Sequence, residues 1–393
     1  LKYKTIHNLR WGLLMMMWFF SACAQTNFPD KGTNISMMQV GFEKLPGWSL
    51  GSQEKSLEAW KYSCDRILQM EPEKTLSVNL MVGKAGEWFH VCTKIKDLPK
   101  ESETVREFVE SNFFPYAIFN GDNDQGLFTG YFEPIVKASE FSNNQYRFPI
   151  YGIPRDHISV NLQDFNPKLP DTNIVGRLKK RRLVPYYTRS EIRKMDSSTL
   201  PILYWAEDLL GVYIMQVQGS GVIQLTDGKR QRIGFAGHNG HDYVSVGQIL
   251  INRNQIKSGK ASWKGIRKWM ERQKDLGRSL LDLNPRYIFF EKTHEIGPRG
   301  SAGVPLTPKH SIAVDSKFIP MHIPLWIDTK YPGKKNKRFQ HLVLAQDVGN
   351  AIRGPVRGDI FWGTGSRAFQ LAGKMKSSGV YFVLIPANIR VSN

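Results

Sequence analysis

The period of the hydrophobic positions changes several times along the chain, and each change marks an element. From Gln53 to Gln69, Leu57, Trp60, Ile67 and Leu68 recur at helical spacing among charged residues. Val105, Phe108 and Val109 make one face of a second helix over Ser102 to Ser111. Both helices read as scaffold. From Leu127 the segment GLFTGYFEPIVKAS alternates aromatic and small residues, which predicts a strand leading into another domain. Within it Glu133 precedes Pro134, so extended backbone is favoured and the carboxylate could reach a cleft. Between Tyr204 and Tyr243, Val212, Ile214, Val217 and Ile223 mark strand segments, and a period of two sends Gln216, Gln218 and Ser220 to one face.

Residues Val246 to Leu281 return to a helical pattern, carried by Ile249, Leu250, Ile256, Trp263, Ile266 and Trp269. At NPRYIFFEK the strand pattern comes back, and the chain is expected to re-enter its first domain. Short strands then follow at Ser311–Val314, Ile323–Ile327, Leu342–Ala345, Ile360–Trp362 and Val380–Ile385, with one helix near Arg367 to Met375. Strands this short between Gly and Pro turns predict a small closed barrel. The layout is therefore a larger domain, 39–133 with 285–393, and a smaller β-rich domain inserted at 134–284. Inside the insert, the basic run Lys179 to Arg182 reads as a solvated loop, and Ser190 as the N-cap of a helix.

Composition narrows the class. With 393 residues, 41% hydrophobic and 12% aromatic, the chain can fill a sizeable core. A net charge of +19 predicts attraction to a polyanion. Nucleic acid is the first candidate, but no helix-turn-helix, zinc-finger or RNA-binding aromatic signature is present, and an acidic wall or membrane surface fits as well. The amino terminus points to export: Lys2, Lys4 and Arg10 precede an apolar run from Trp11 to Phe20 that is too short to span a bilayer. Phe20-Ser21-Ala22-Cys23 resembles a bacterial lipobox, which makes 1–23 a lipoprotein signal peptide, Cys23 the lipidated residue and 24–38 a polar tether. Ala24 after Cys23 resembles the outer-membrane sorting pattern. Cys64 and Cys92 are then left, enough for one disulfide in an oxidising periplasm and too few for a zinc site. No cofactor and no metal are expected.

The candidate chemistry lies in AQDVGNAIRGPVRGDIFWG, where a loop rich in Gly and Arg separates Asp347 from Asp359. Asp beside Gly is common turn chemistry. The neighbourhood of Asp359 adds more, because Ile360, Phe361 and Trp362 put its carboxylate at the lip of an apolar strand. Desolvation there raises a carboxyl pKa and makes a general acid.

Three pieces in order, SIAVDSKFIP around Asp315, AQDVGNAIRG around Asp347 and RGDIFWGTG around Asp359, resemble the three-aspartate segment of the membrane-bound lytic murein transglycosylase A family. The resemblance extends upstream through FTGYFEP, YTRSEI, YWAEDLLGVYIMQVQGSG and GFAGHNG to NPRYIFFEK. Asn350 and His322 depart from the pattern without removing a carboxylate. The resemblance implies a mainly β chain with helices, in which a double-psi β-barrel assembled from both chain ends faces the insert across a groove. It implies cleavage between N-acetylmuramic acid and N-acetylglucosamine without water, leaving 1,6-anhydromuramoyl ends. Asp359 would be acid and then base, and Asp347 and Asp315 would orient it, stabilise developing positive charge or hold the barrel loops.

It also implies that Thr129, Gly130, Tyr131 and Asn239 line the groove, and it favours Gln216, Gln218 and Ser220 as sugar contacts, although a plain turn at Gly219 to Gly221 accounts for the same residues. His238 and His241 are not required. Peptidoglycan strands, the outer membrane through a lipid anchor at its periplasmic face, and cell-wall synthesis enzymes are the expected partners. A hydrolase using Asp347 and Asp359, or Glu133 and Asp359, would instead leave reducing ends. A non-catalytic wall-binding lipoprotein would leave the glycan unchanged.

Overall fold

The computed structural model describes residues 35–77 and 82–391, and Asn34–Asn393 form one compact unit. The leader, Cys23 and the tether up to residue 34 lie outside the described residues. The last part of the expected tether is instead strand β1 (Ile35–Gln39), which pairs antiparallel with β2 (Phe113–Asn120). Between them run α1 (Leu57–Ile67), α2 (Ala85–Asp97) and α3 (Ser102–Asn112). Cys64 on α1 and Cys92 on α2 form a disulfide, with their Cα atoms 4.9 Å apart.

The next strand, β3 (Gly126–Glu133), belongs to the same sheet. The insert follows: β4 (Ile135–Ser139), β5 (Phe148–Tyr151), β6 (His157–Asn161), β7 (Asn173–Lys179), β8 (Arg182–Pro185), α4 (Arg189–Lys194), β9 (Ile202–Ala206), α5 (Leu209–Gln218), β10 (Gly221–Leu225), β11 (Arg230–His238), α6 (Val246–Asn252), α7 (Trp263–Arg272), α8 (Lys274–Asp282) and β12 (Ile288–Thr293). Of these, β12-β11-β10-β4-β9-β5 form one sheet and β6-β7-β8 a small second one. The chain then returns through β13 (Ser311–Val314), β14 (Pro324–Lys330), β15 (Arg338–Val348), β16 (Arg357–Thr364), α9 (Ser366–Ala372) and β17 (Lys376–Pro386).

Strands β17-β14-β15-β13-β16-β3 pair in that order, and β3 pairs back onto β17, so six strands close a barrel. Two of its pairs, β13/β15 and β16/β3, are parallel, as a barrel with crossing connections requires. Its core is dense with Phe128, Phe339, Ile360 and Val383, while Trp326 packs outside on Trp48, and Trp60 and Trp88 pack α1 and α2 against the outside through Phe113. The strand at NPRYIFFEK does not carry the chain back to the barrel. As β12 it pairs with β11, so the return falls after Thr293.

One expected strand is a helix. Leu209–Gln218 is α5, capped at its start by the Asp208 carboxylate, which accepts from Leu210 N and Gly211 N, and ended by Gly219 at φ 81°. The reason is its position between two cores: Leu210, Tyr213 and Ile214 join the cluster that runs from the barrel to helices α6, α7 and α8, with Tyr213 edge-on to Trp263, and Val212 and Met215 join the core of the insert's sheet. A helix buried on both sides is apolar all round, so it loses the 3.6-residue stripe and its β-branched residues imitate a strand. At α4 the cap is Thr188 rather than Ser190, through a reciprocal pair of bonds with Glu191.

Candidate active site

Strand register brings the key carboxylates to one row. Ala313 on β13 lies opposite Asp347 on β15 and opposite Asp359 on β16, and Asp359 lies opposite Thr129 on β3. Residues directly opposite in a ladder point to the same face. Both carboxylates therefore flank the small Ala313 side chain, their Cα atoms about 9–10 Å apart across two strand spacings.

This alignment depends on a bulge. Ile312 pairs with Ala345 and Ala313 with Asp347, so Gln346 is an extra residue in β15. Without it Asp347 would point to the other face. The Gln346 side chain is wholly buried, donating to Ala59 O at 2.7 Å and Ser63 Oγ at 2.9 Å and accepting from Ser311 Oγ at 2.5 Å. These bonds hold the bulge against α1.

The two aspartates differ in their partners. Asp347 Oδ1 accepts from Ser301 N at 2.9 Å, Ser301 Oγ at 2.8 Å and Val348 N at 2.9 Å. Burial raises its pKa, and these bonds counter the rise. Asp359 Oδ1 accepts from Thr129 Oγ1 at 2.7 Å, and Thr129 in turn accepts from Arg357 at 2.8 Å. No other donor meets Asp359 among the described residues. Burial pushes its pKa up to about 6, against the lowering effects of the Thr129 bond and Arg357 and with a further push from Asp347. The Tyr131 hydroxyl lies beside Asp347, short of full hydrogen-bond geometry; burial first, and then that carboxylate, holds its pKa well above the ordinary value.

The pair opens onto a cavity of about 500 Å³. Its barrel wall includes Ala313, Phe361 and the loop from Val348 to Ile352, and its insert wall includes Gln216, Gln218, Ser220, Arg286 and Tyr243. Gly349 and Ala351 keep the loop slim, as a ligand running close to the backbone needs.

Several expected residues lie elsewhere. Asp315 is buried below the loop, where Oδ2 accepts from Gly354 N at 2.8 Å; it pins the loop and does not line the cavity. Gly130 faces away from the groove, and a Cβ there would lie 2.5 Å from Trp362 Nε1. Asn239 is 1% exposed and fully engaged, donating to Tyr187 O and Pro285 O and accepting from Tyr287 N, so it fastens the insert's backbone. Glu133 is fully buried against Arg232, at 2.9 Å and 3.2 Å, and does not project into the cleft.

Gln216 lines the cavity but already accepts from buried Arg189 at 2.5 Å, and Gln218 accepts from Phe132 N at 3.0 Å. Ser301, Ala313 and Gln346 carried no signal that a sequence reading could use. Their roles arise from register.

Two family models match the chain: the MltA specific insert domain over residues 127–291 and the 3D domain over residues 310–385. Membrane-bound lytic murein transglycosylase A of Escherichia coli (strain K12) is 33% identical over 309 residues, 76% of each chain. The crystal structure of MltA from Neisseria gonorrhoeae superimposes with a TM-score of 0.79 at 32% identity, covering 91% of this chain and 94% of that one. E. coli MltA with bound chitohexaose matches at a TM-score of 0.63 and 26% identity, covering 86% and 91%. Sequence and architecture agree over most of the length, and the chain belongs to the membrane-bound lytic murein transglycosylase A family.

Proposed function

We propose that Asp359 alone supplies both the acid and the base in the cleavage of peptidoglycan glycan strands. The chain is a peptidoglycan lytic transglycosylase, the activity for which its relatives are named. In the proposed step the Asp359 carboxyl gives its proton to the oxygen joining N-acetylmuramic acid to N-acetylglucosamine, and the C1–O bond breaks. The muramoyl C6 hydroxyl oxygen then bonds to C1, and its proton passes to the Asp359 carboxylate. The carboxyl is restored and no water is consumed.

The observation that carries this assignment is the contrast between the two carboxylates. Asp347 is tied by three donors and suits a fixed negative charge beside the developing positive charge at C1, whereas Asp359 has one partner and a pKa near 6. The chitohexaose bound to the E. coli relative supports a glycan in the groove, with Gln218, Ser220 and Tyr131 as contacts and Thr129 acting through Asp359. Asp315 supports the loop. The insert is proposed as the substrate-binding half and the barrel as the catalytic half. The relatives' names support a membrane-associated site in the cell envelope. Lipidation at Cys23 and the outer-membrane location belong to the same proposal, and the mass of the mature amino terminus tests them.

The test of the chemistry is mass analysis of sugar ends after incubation with purified peptidoglycan. Ends that resist borohydride reduction are expected. Reducible ends would instead make Asp347 and Asp359 a hydrolytic pair, and unchanged glycan would leave only binding.

Because the free enzyme must begin with Asp359 protonated, kcat/KM is expected to fall about tenfold per pH unit above about pH 6. Initial rates across the acid to neutral range read this directly. Replacing Thr129 with Val removes the hydrogen bond that lowers the Asp359 pKa, so the same fall is expected to move to higher pH. A profile that stays in place would separate Thr129 from the acid.

A further inference from the structure

The small sheet β6-β7-β8 is two-faced. Its residues Val160, Ile174, Leu178 and Leu183 share one face, because Val160 lies opposite Ile174 and Leu178 opposite Leu183. Leu183 also folds over Gly176 on that face, where an added Cβ would lie 2.9 Å from its Cδ1. The opposite face turns inward, with His157 edge-on to Phe289, Val175 against Gly240 and Arg177 over Tyr187 at 3.9 Å. Among the described residues the apolar face has no such cover. Leu178 is 62% exposed, Ile174 42% and Leu183 37%, and none of them joins any of the three hydrophobic cores. The connection from β6 to β7 adds Phe165, which is 77% exposed, and Leu169.

Charge frames this face. Lys179 and Arg182 end β7 and begin β8, and Lys180 and Arg181 form the two-residue turn between them. Both turn residues have positive φ, 47° and 65°, the signature of a type I′ hairpin turn that Asn-Gly would normally occupy. Lys and Arg thus stand where the backbone favours other residues. From residue 155 to 185 there are seven Lys and Arg against three Asp. A continuous apolar face with a cationic rim matches an interface that is apolar within and anionic at its border.

We propose that this face docks on the surface of an anionic phospholipid bilayer, with Leu178, Ile174 and Phe165 entering the headgroup boundary and the Lys179 to Arg182 turn on the lipid phosphates. The contact is separate from the glycan groove, since none of these residues lines that cavity. It orients the catalytic unit on the bilayer independently of any covalent anchor.

The test uses the compact unit 34–393, which carries all the described cores. It is sedimented with vesicles of phosphatidylglycerol and phosphatidylethanolamine, and with phosphatidylcholine vesicles as the neutral control. Binding is expected to the anionic vesicles, weakened by salt. Lys180→Asn with Arg181→Gly removes two charges while giving the turn its preferred residues, so the hairpin is retained. That variant is expected to bind about tenfold or more weakly, and Leu178→Glu to lose most binding, with soluble glycan cleaved at the wild-type rate by both. Equal binding to neutral and anionic vesicles, or binding indifferent to these substitutions, would overturn the proposal. So would a dimer that Leu178→Glu dissolves, or a loss of sacculus binding in place of vesicle binding. Either would assign the face to another partner.

Discussion

Asp359→Asn is expected to lower kcat by about a thousandfold or more while leaving KM nearly unchanged, because it removes the only group proposed to give and take the proton. Asparagine keeps the shape and still accepts the Thr129 bond, so the groove is preserved. Quantifying anhydro ends by mass spectrometry reads the loss. Persistent anhydro product would place the acid elsewhere, with Asp347 next in line.

The same substitution carries an opposite prediction for stability. The folded-state pKa of Asp359 is raised from 3.8 to about 6, so its favourable contribution is present below the unfolded value and is lost as pH rises through the folded one. At neutral pH the variant is therefore expected to be more stable by about 1–3 kcal/mol, and the difference is expected to vanish in acid. Paired thermal melts at the two extremes check the sign.

Arg232→Ala is expected to cost about 3–5 kcal/mol, since it leaves the Glu133 carboxylate buried with one remaining side-chain donor, Thr364 Oγ1 at 2.7 Å. Glu133 ends β3 of the barrel and Arg232 lies on β11 of the insert, so the pair fastens the two walls of the groove. Arg232 also donates to the carbonyls of Glu295 and Ile296, on the segment leading back to the barrel. A rise in KM is expected beside the fall in stability. Replacing both partners with Leu and Met should recover most of the loss, because no charge is then stranded. If the double variant is as unstable as Arg232→Ala, the cost lies in the carbonyl bonds instead.

The barrel strands after Ser311 were legible because apolar runs this short between Gly and Pro turns are too brief for helices and fit strands. Asp347 and Asp359 were legible through ordered motifs, while their alignment was not. That rests on Gln346 bulging out of β15, and a bulge leaves no mark on composition or period. Leu209–Gln218 was misread for the opposite reason: two cores bury it, and its polar positions no longer report a direction. Asn239 and Gly130 show the limit of reading roles from motifs. One completes three backbone bonds, the other admits Trp362, and neither meets the groove.

The placement of β17 bears on how the chain is made. This last strand sits in the interior of the sheet, bonded to β2, β14 and β3, which come from well-separated stretches of sequence. Until it emerges, those neighbours present open edges and the barrel has a gap through its core. The barrel therefore cannot close until residues 376–386 are available to pair, however early the insert's own sheet has formed. The same delay exposes several apolar strands at once, a hazard for aggregation that a holding chaperone would relieve.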